Sequence, residues 1–210
     1  MNDVRQALSH VLWMGGSPCS GKTTISDILA ERYDLQVYHC DRAWDDHCRR
    51  AHPEQHPYLY RLQSMTWDEI WMRPVDELLR DEMIIYREEF PMIVDDLLAL
   101  PASRPVLAEG TALMPECVMP LLDSSHRAIW VLPTKEFQLY AYPRRGEWVQ
   151  DLLSRCSHPD EAFRRWMDRD AAFADEMARR AVDRKLEILW VDGEYSIEEN
   201  AARIAAHMGL

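Results

Sequence analysis

Five short apolar runs recur along the chain, and helical patterns separate them. The runs cover residues 10–14, 35–40, 105–108, 128–132 and 187–191. Between them, apolar residues recur at helical spacing, as in residues 161–184 and in the last segment, where Ser196 and Glu199 resemble a capping box. Strands that alternate with helices are typical of a parallel sheet covered on both faces. The pattern therefore predicts an α/β fold with a five-stranded parallel sheet.

The connection between the second and third runs, residues 41–104, is much longer than the dozen or so residues that a simple crossover needs. Two helical patterns, residues 66–86 and 87–100, follow an irregular piece that contains prolines. We expect a helical cap over the carboxyl edge of the sheet. Its aromatic side chains either line a substrate pocket or pack the cap's own core. These side chains are Trp44, Tyr58, Tyr60, Trp67 and Trp71.

The segment after the first run fits the phosphate-binding pattern G-x-x-x-x-G-K-[ST] at every fixed position. Its backbone amides are expected to bind phosphate oxygens, Lys22 to reach the β and γ phosphates, and the Thr23 hydroxyl to hold Mg²⁺. The alternative is an ordinary glycine-rich turn, but the chain has only three lysines and seven glycines, so a chance match is improbable. The predicted nucleotide-binding residues are Gly16, Ser17, Pro18, Cys19, Ser20, Gly21, Lys22, Thr23 and Thr24.

The composition of the chain argues against nucleic-acid and membrane partners. The chain has 24 basic and 36 acidic residues, a net charge of −12, which argues against nucleic-acid binding. No apolar run approaches the length of a membrane span, so we expect one cytoplasmic domain over residues 1–210 without a membrane partner. The five cysteines are odd in number and scattered, which indicates reduced thiols. The oligomeric state is not predicted.

The phosphate loop alone does not decide where the γ-phosphate goes. A regulatory GTPase needs an Asn-Lys-x-Asp motif, yet the only asparagines are Asn2 and Asn200. A motor ATPase needs an apolar strand ending in acids, which residues 92–96 imitate. However, the surrounding apolar residues fall at helical spacing, so Asp95 and Asp96 are predicted on a solvated helix face.

Two acidic residues at strand ends favour a kinase. Asp41 directly follows the second run, where a carboxylate can accept the proton of a substrate hydroxyl as its oxygen attacks phosphorus. Glu109 ends the third run and can hold Mg²⁺ or a substrate hydroxyl. The alternatives are a helix N-cap for Asp41 and a structural carboxylate for Glu109.

Phosphoryl transfer also requires positive charge on the migrating group, usually from arginines on a mobile segment. Arg144 and Arg145 follow the fourth run in an irregular stretch, within a lid-like segment predicted over residues 142–170. Arg165 and Arg169 are four residues apart on the long helix and so can form a two-pronged clamp on phosphate, with Arg169 as the catalytic member. Alternatively, Asp168 and Asp170 neutralise these arginines in surface ion pairs.

A metal-binding regulator is a competing interpretation because histidines and cysteines are concentrated after the second run. Their spacing fits no established ligand pattern, and prolines interrupt the helix that would align the imidazoles. The residues concerned are His39, Cys40, His47, Cys48, His52 and His56.

Taken together, the phosphate loop, Asp41, the Glu109-Gly110-Thr111 turn and the arginine segment 164–169 resemble the P-loop small-molecule kinases, such as shikimate, gluconate, adenylate and uridine kinases and chloramphenicol phosphotransferase. The resemblance implies a three-layer sandwich with strand order 2-3-1-4-5 and a lid. It also implies that ATP and Mg²⁺ are used to phosphorylate a hydroxyl of a small molecule. The alternative is a nucleotide-binding protein of this fold without kinase activity.

Overall fold

Five strands form one all-parallel sheet in the computed structural model, which describes residues 2–210. The spatial order is β2-β3-β1-β4-β5, which confirms the predicted sheet and its strand order. The strands are β1 Val11–Gly16, β2 Gln36–His39, β3 Val106–Glu109, β4 Ala128–Pro133 and β5 Glu187–Val191.

The helices of the described residues surround this sheet, and four of them connect β2 to β3. The α-helices are α1 Asn2–Ala7, α2 Lys22–Tyr33, α3 Cys40–Arg50, α4 Pro57–Leu62, α5 Trp67–Trp71, α6 Val75–Ala99, α7 Pro115–Val118, α8 Lys135–Ala141, α9 Trp148–Leu153, α10 Pro159–Asp183 and α11 Ile197–Met208. Single turns of 3-10 helix cover Met119–Leu121, Ser125–Arg127 and Tyr142–Arg144. We call α3 to α6 and their connections the cap.

Two apolar clusters cover the two faces of the sheet. Successive residues of a strand point to opposite faces, and Trp13 and Met14 accordingly belong to different clusters. The cluster around Trp13 includes residues of α6 and α10, whereas the cluster around Met14 includes residues of α2 and α11. The result is a three-layer sandwich with the carboxyl ends of all five strands at one edge.

β1 is longer than predicted because its two terminal glycines belong to the strand. Gly15 and Gly16 pair with Trp130 and Val131 of β4. A Cβ atom on Gly16 would lie 2.0 Å from the Val131 carbonyl oxygen, and φ at Gly16 is +138°, so only glycine fits this close approach. Cys40, predicted in the second strand, is instead the first residue of α3.

The division of the cap helices at residue 86 was wrong. The chain breaks at Pro74, which is the N-cap of α6, and α6 then continues to Ala99 with Pro91 inside it. Proline disfavours helical geometry in the residue before it, which explains the break after α5. Pro91 is exposed, so the carbonyl group that loses its helical partner lies near solvent.

Four smaller expectations concern a helix cap, the cysteines, membrane spans and the number of domains. Ser196 and Glu199 form the predicted capping box at the start of α11. All five cysteines are free thiols, as predicted. Within residues 2–210, no helix combines the length and the apolar character that a membrane span requires. The interpretation of residues 1–210 as a single domain stays a prediction.

Candidate active site

The phosphate loop joins β1 to α2 at the carboxyl edge of the sheet. Its backbone is unusual at Cys19 and Gly21, where φ is +65° and +81°. The amides of Lys22, Thr23 and Thr24, in the first turn of α2, have no hydrogen-bond acceptor among the described residues. Such amides at a helix N-terminus, aided by the helix dipole, form an anion-binding site. The loop is therefore built to receive phosphate oxygens.

Lys22 is buried beneath this loop, with 7% of its surface exposed. Its Nζ donates hydrogen bonds to the Ser17 carbonyl at 2.8 Å and to the Ser20 hydroxyl at 3.4 Å. Burial lowers the pKa of the Lys22 amine, while the charges of Glu109 and Asp41 act in the opposite direction. Lys22, which the motif assigns to phosphate contact, therefore lies close enough to Glu109 and Asp41 to interact with both charges.

Glu109 connects the phosphate loop to the sheet edge. The Thr23 hydroxyl donates to Glu109 Oε1 at 3.2 Å, and His39 Nδ1 lies 2.7 Å from the same oxygen. The strand register brings these groups together because Glu109 of β3 pairs with Met14 of β1 and with His39 of β2. Glu109 is 3% exposed, so its carboxylate is held in one place.

Thr23 and Glu109 supply the hydroxyl and carboxylate oxygens that suit Mg²⁺. The part of the chain that the structure describes contains no cluster of three or more His, Cys, Asp or Glu side chains arranged to hold a metal ion. This does not conflict with a nucleotide-bound magnesium, which usually takes one or two protein oxygens and completes its shell with phosphate oxygens and waters. The residues present therefore fit the ion.

Among the described residues, the histidine-rich segment contributes to no group of three or more side chains arranged to hold a metal ion. His47 is buried, with Nδ1 at 2.8 Å from Glu89 and Nε2 at 2.9 Å from Asp96. Asp96 also accepts hydrogen bonds from Tyr38 and Arg50. The prediction of a solvated face is thus correct for Asp95, which is exposed, but wrong for Asp96, because tertiary partners from β2 and α3 cover it.

Asp41 lies in the first turn of α3 and lines the cleft in front of the phosphate loop. It is not the N-cap of this helix, because that position is occupied by His39. Its carboxylate is exposed and has no hydrogen-bond or ion-pair partner within residues 2–210. The cleft at the sheet edge is therefore lined by Lys22, Glu109 and the Asp41 carboxylate, which is free to contact a ligand.

The cleft is large enough for a nucleotide and a small molecule, with a volume of about 830 Å³. Its lining includes the phosphate loop from Pro18 onward and Glu109, together with Asp41 and other residues of the cap and with residues from the range 141–169. Gly16 and Ser17 are not in its lining. Of the predicted cap aromatics, Trp44, Trp67 and Trp71 line the cleft, whereas Tyr58 and Tyr60 do not. Sequence reasoning missed four other aromatic lining residues: Tyr86, Tyr142, Trp148 and Trp166.

The arginines are arranged differently from the predicted clamp. Arg169 lines the cleft but forms ion pairs with Glu82 and with Asp170, each at 2.7 Å. Arg165 lies outside the lining and donates to the Met72 carbonyl and to Glu161, so its position gives no support to a nucleotide contact. The predicted neutralisation by Asp170 is present, whereas Asp168 pairs with Lys135 instead.

Arg145 is the arginine beside the phosphate loop. Its guanidinium lies over the rings of Tyr142 and Trp148, at 5.3 and 5.2 Å from the centroids. Burial raises the pKa of the Cys19 thiol to about 11, and the neighbouring Arg145 acts in the opposite direction. Arg145 has no carboxylate partner in the described chain. Its charge is therefore available to a ligand, unlike that of Arg169.

Replacement of Arg169 by alanine is expected to destabilise the protein. The change leaves the buried carboxylates of Glu82 and Asp170 without their cation, which costs about 3–5 kcal/mol of the free energy of unfolding. Chemical denaturation measures the loss. Arg164→Ala is the control, because Arg164 is 69% exposed and its removal is expected to change stability by less than about 0.5 kcal/mol. Equal stabilities of the two variants would contradict the assigned ion pairs.

No family model matches the chain, and no curated protein matches it. Solved structures do resemble it. The structure of deoxyadenosine kinase from M. mycoides with bound dATP aligns over 95% of this chain and 100% of its own, with 11% identity and a TM-score of 0.50. Shikimate kinase from Aquifex aeolicus vf5 aligns over 95% and 96% of the two chains, with 17% identity and a TM-score of 0.43. With its parallel sheet in the order 2-3-1-4-5 and a phosphate loop after β1, the chain has the fold of the P-loop kinases.

Proposed function

We propose that this protein is an ATP- and Mg²⁺-dependent phosphotransferase that moves the γ-phosphate of ATP to a hydroxyl group of a small molecule. The observation that carries the proposal is the convergence of the phosphate loop, the Thr23–Glu109 pair and the unengaged Asp41 carboxylate on one cleft. A nucleotide-binding module would need the loop, but it would not need a carboxylate without a partner facing it.

In the proposed mechanism, the loop amides and Lys22 hold the β and γ phosphates. Thr23 and Glu109 would hold the magnesium ion, which when bound would neutralise charge on the phosphate oxygens. Asp41 orients the acceptor hydroxyl and takes its proton. The acceptor oxygen forms a bond to the γ-phosphorus while the bond from that phosphorus to ADP breaks, so the products are ADP and a phosphate ester.

The cap and the segment 142–170 supply the acceptor side of the cleft in this proposal. Their aromatic and polar side chains enclose the space in front of Asp41 and limit the access of water to the γ-phosphate. The net charge of −12 supports a small-molecule acceptor rather than a nucleic acid.

Arg145 is expected to stabilise the migrating phosphoryl group, because it lies near the loop and has no carboxylate partner among residues 2–210. Arg145→Ala should lower kcat by about 10²-fold or more while changing the affinity for ATP little. Arg144→Ala is the matched control, because Arg144 lies over the Tyr140 ring and outside the cleft lining. Steady-state kinetics with varied ATP separates the two parameters, and equal kcat values for both variants would contradict this role.

The function is tested by ADP release from purified protein with ATP, Mg²⁺ and a panel of small hydroxyl compounds. The proposal predicts release that depends on the presence of a particular acceptor and on Mg²⁺. Slow release that no acceptor stimulates would contradict kinase activity and favour a nucleotide-binding protein of this fold.

A further inference from the structure

His39 is a buried histidine that the proposed mechanism does not use. It ends β2 and is the N-cap residue of α3, and only 7% of its side chain is exposed. It does not belong to the lining of the cleft, so it does not contact the space that a nucleotide or an acceptor would fill. Any contribution of His39 to the chemistry therefore has to pass through a neighbouring side chain.

The neighbouring side chain that His39 contacts is Glu109. Parallel pairing of β2 with β3 places the two residues side by side, and His39 Nδ1 lies 2.7 Å from Glu109 Oε1. Because an ionised carboxylate can only accept, Nδ1 carries the proton of this short hydrogen bond. The other ring nitrogen, Nε2, is 3.7 Å from Asp27 Oδ1, which is beyond hydrogen-bond distance. The strong contact of the His39 ring is therefore the one to Glu109.

The two oxygens of the Glu109 carboxylate have different surroundings. Oε1 accepts from His39 and also from the Thr23 hydroxyl, at 3.2 Å. Oε2 has no hydrogen-bond partner among residues 2–210, yet it is not one of the fully buried unpartnered atoms of that range, so it keeps accessible surface. Because Glu109 lines the cleft, Oε2 is the oxygen that it presents there.

We propose that His39 is a positioning residue for the magnesium site. Its Nδ1–H holds Oε1 of Glu109 and restricts rotation of the carboxylate, so that Oε2 faces the cleft, where the ion of the nucleotide would bind. A carboxylate that turned freely would have a lower affinity for the ion, because its orientation would have to be fixed on binding. This inference rests on the proposed function and adds to it a residue that lies outside the cleft.

Nucleotide titrations of the full chain measure this role without any phosphoryl transfer. An ATP analogue with an imido group between its β and γ phosphates is titrated by calorimetry, once with excess Mn²⁺ and once with EDTA. The ratio of the two dissociation constants gives the contribution of the metal ion to nucleotide binding. His39→Ala is expected to reduce this ratio by about 10-fold, the usual effect of removing a partner that orients a ligating side chain. The affinity in EDTA should not change.

Two further replacements distinguish positioning from a merely structural contribution. In His39→Asn, the amide nitrogen is bonded to Cγ as Nδ1 is, so it can donate to Glu109 and should restore the ratio to within about threefold. In His39→Gln, the amide nitrogen lies nearer the place of Nε2, so the loss should remain about 10-fold. Equal ratios for the asparagine and glutamine variants would overturn the inference. This comparison also decides the matter if the alanine variant does not fold.

His52→Ala is the control, because His52 is exposed and lies outside the cleft lining, so its ratio should equal that of the unaltered protein. A double replacement tests the route of the effect. In the Glu109→Gln background, His39→Ala should change the ratio by less than about twofold, because the carboxylate that it orients is already gone. An undiminished effect in that background would contradict the assigned contact.

ADP release with the same variants separates this inference from the proposed function. The expected order of metal-dependent affinities, without ADP release from any acceptor, would support the role of His39 and contradict kinase activity. Acceptor-dependent ADP release together with equal ratios for all His39 variants would support kinase activity and contradict the inference. If Mn²⁺ does not raise the nucleotide affinity of the unaltered protein, the inference is overturned as well.

Discussion

Replacement of Lys22 by alanine is expected to reduce acceptor-dependent ADP release by at least about 10²–10³-fold, the usual effect of removing one preorganised donor from a site of developing charge. The reason is geometric. The amine is buried under the loop, its hydrogen bonds to Ser17 and Ser20 direct it along the loop, and the charges of Glu109 and Asp41 lie near it. Steady-state kinetics measures the loss, and circular dichroism establishes that the fold is retained.

Lys135→Ala is the matched control for this change. Lys135 is also a lysine near a helix start, but it is 55% exposed and pairs with Asp168 at 3.0 Å, away from the cleft. Its removal should leave turnover within about twofold, because exposed ion pairs contribute little. Full activity of Lys22→Ala would remove the phosphate loop from the mechanism.

Replacement of Asp41 by asparagine is expected to lower kcat by about 10²-fold or more and to leave nucleotide affinity nearly unchanged. Asparagine has the same shape but cannot take up the hydroxyl proton. Because Asp41 is neither the N-cap of α3 nor an ion-pair partner among the described residues, the change should have little effect on stability. Single-turnover measurements of ADP formation isolate the chemical step.

Asp45→Asn serves as the control, since Asp45 is exposed on the same helix and does not line the cleft. It should have the turnover of the unaltered protein. If Asp41→Asn and Asp45→Asn have the same kcat, Asp41 is not the group that takes the proton, and the proposed chemistry of the sheet edge is wrong.

The elements that could be predicted from the sequence are those with local causes. The fixed spacing of Gly16, Gly21 and Lys22 predicts a loop between a strand and a helix, and the structure has that loop. The run 187–191 coincides with β5 because its limits follow from local pattern alone. The predicted end of β1 was less accurate, because Gly15 and Gly16 belong to the strand only through their pairing with β4, more than 100 residues later in the chain.

The parts of the site that could not be predicted depend on tertiary contacts. Arg169 forms an ion pair with Glu82, which belongs to the cap. No local sequence pattern shows that this part of the cap packs against α10. Trp166 looked like a core residue because it belongs to the apolar stripe of α10, yet it also lines the cleft. The sequence identifies Arg145 as a basic residue in an irregular stretch. Only the ion pairs of the described residues show that no carboxylate is its partner.

The most direct test of the central claim is ³¹P NMR of the purified protein with ATP, Mg²⁺ and a hydroxyl acceptor. The account predicts that the γ-phosphate signal of ATP is replaced by signals of ADP and of a new phosphate monoester, in equal amounts, and that Lys22→Ala shows neither. Formation of inorganic phosphate in place of the ester, or an unchanged ATP spectrum with every acceptor, would contradict it.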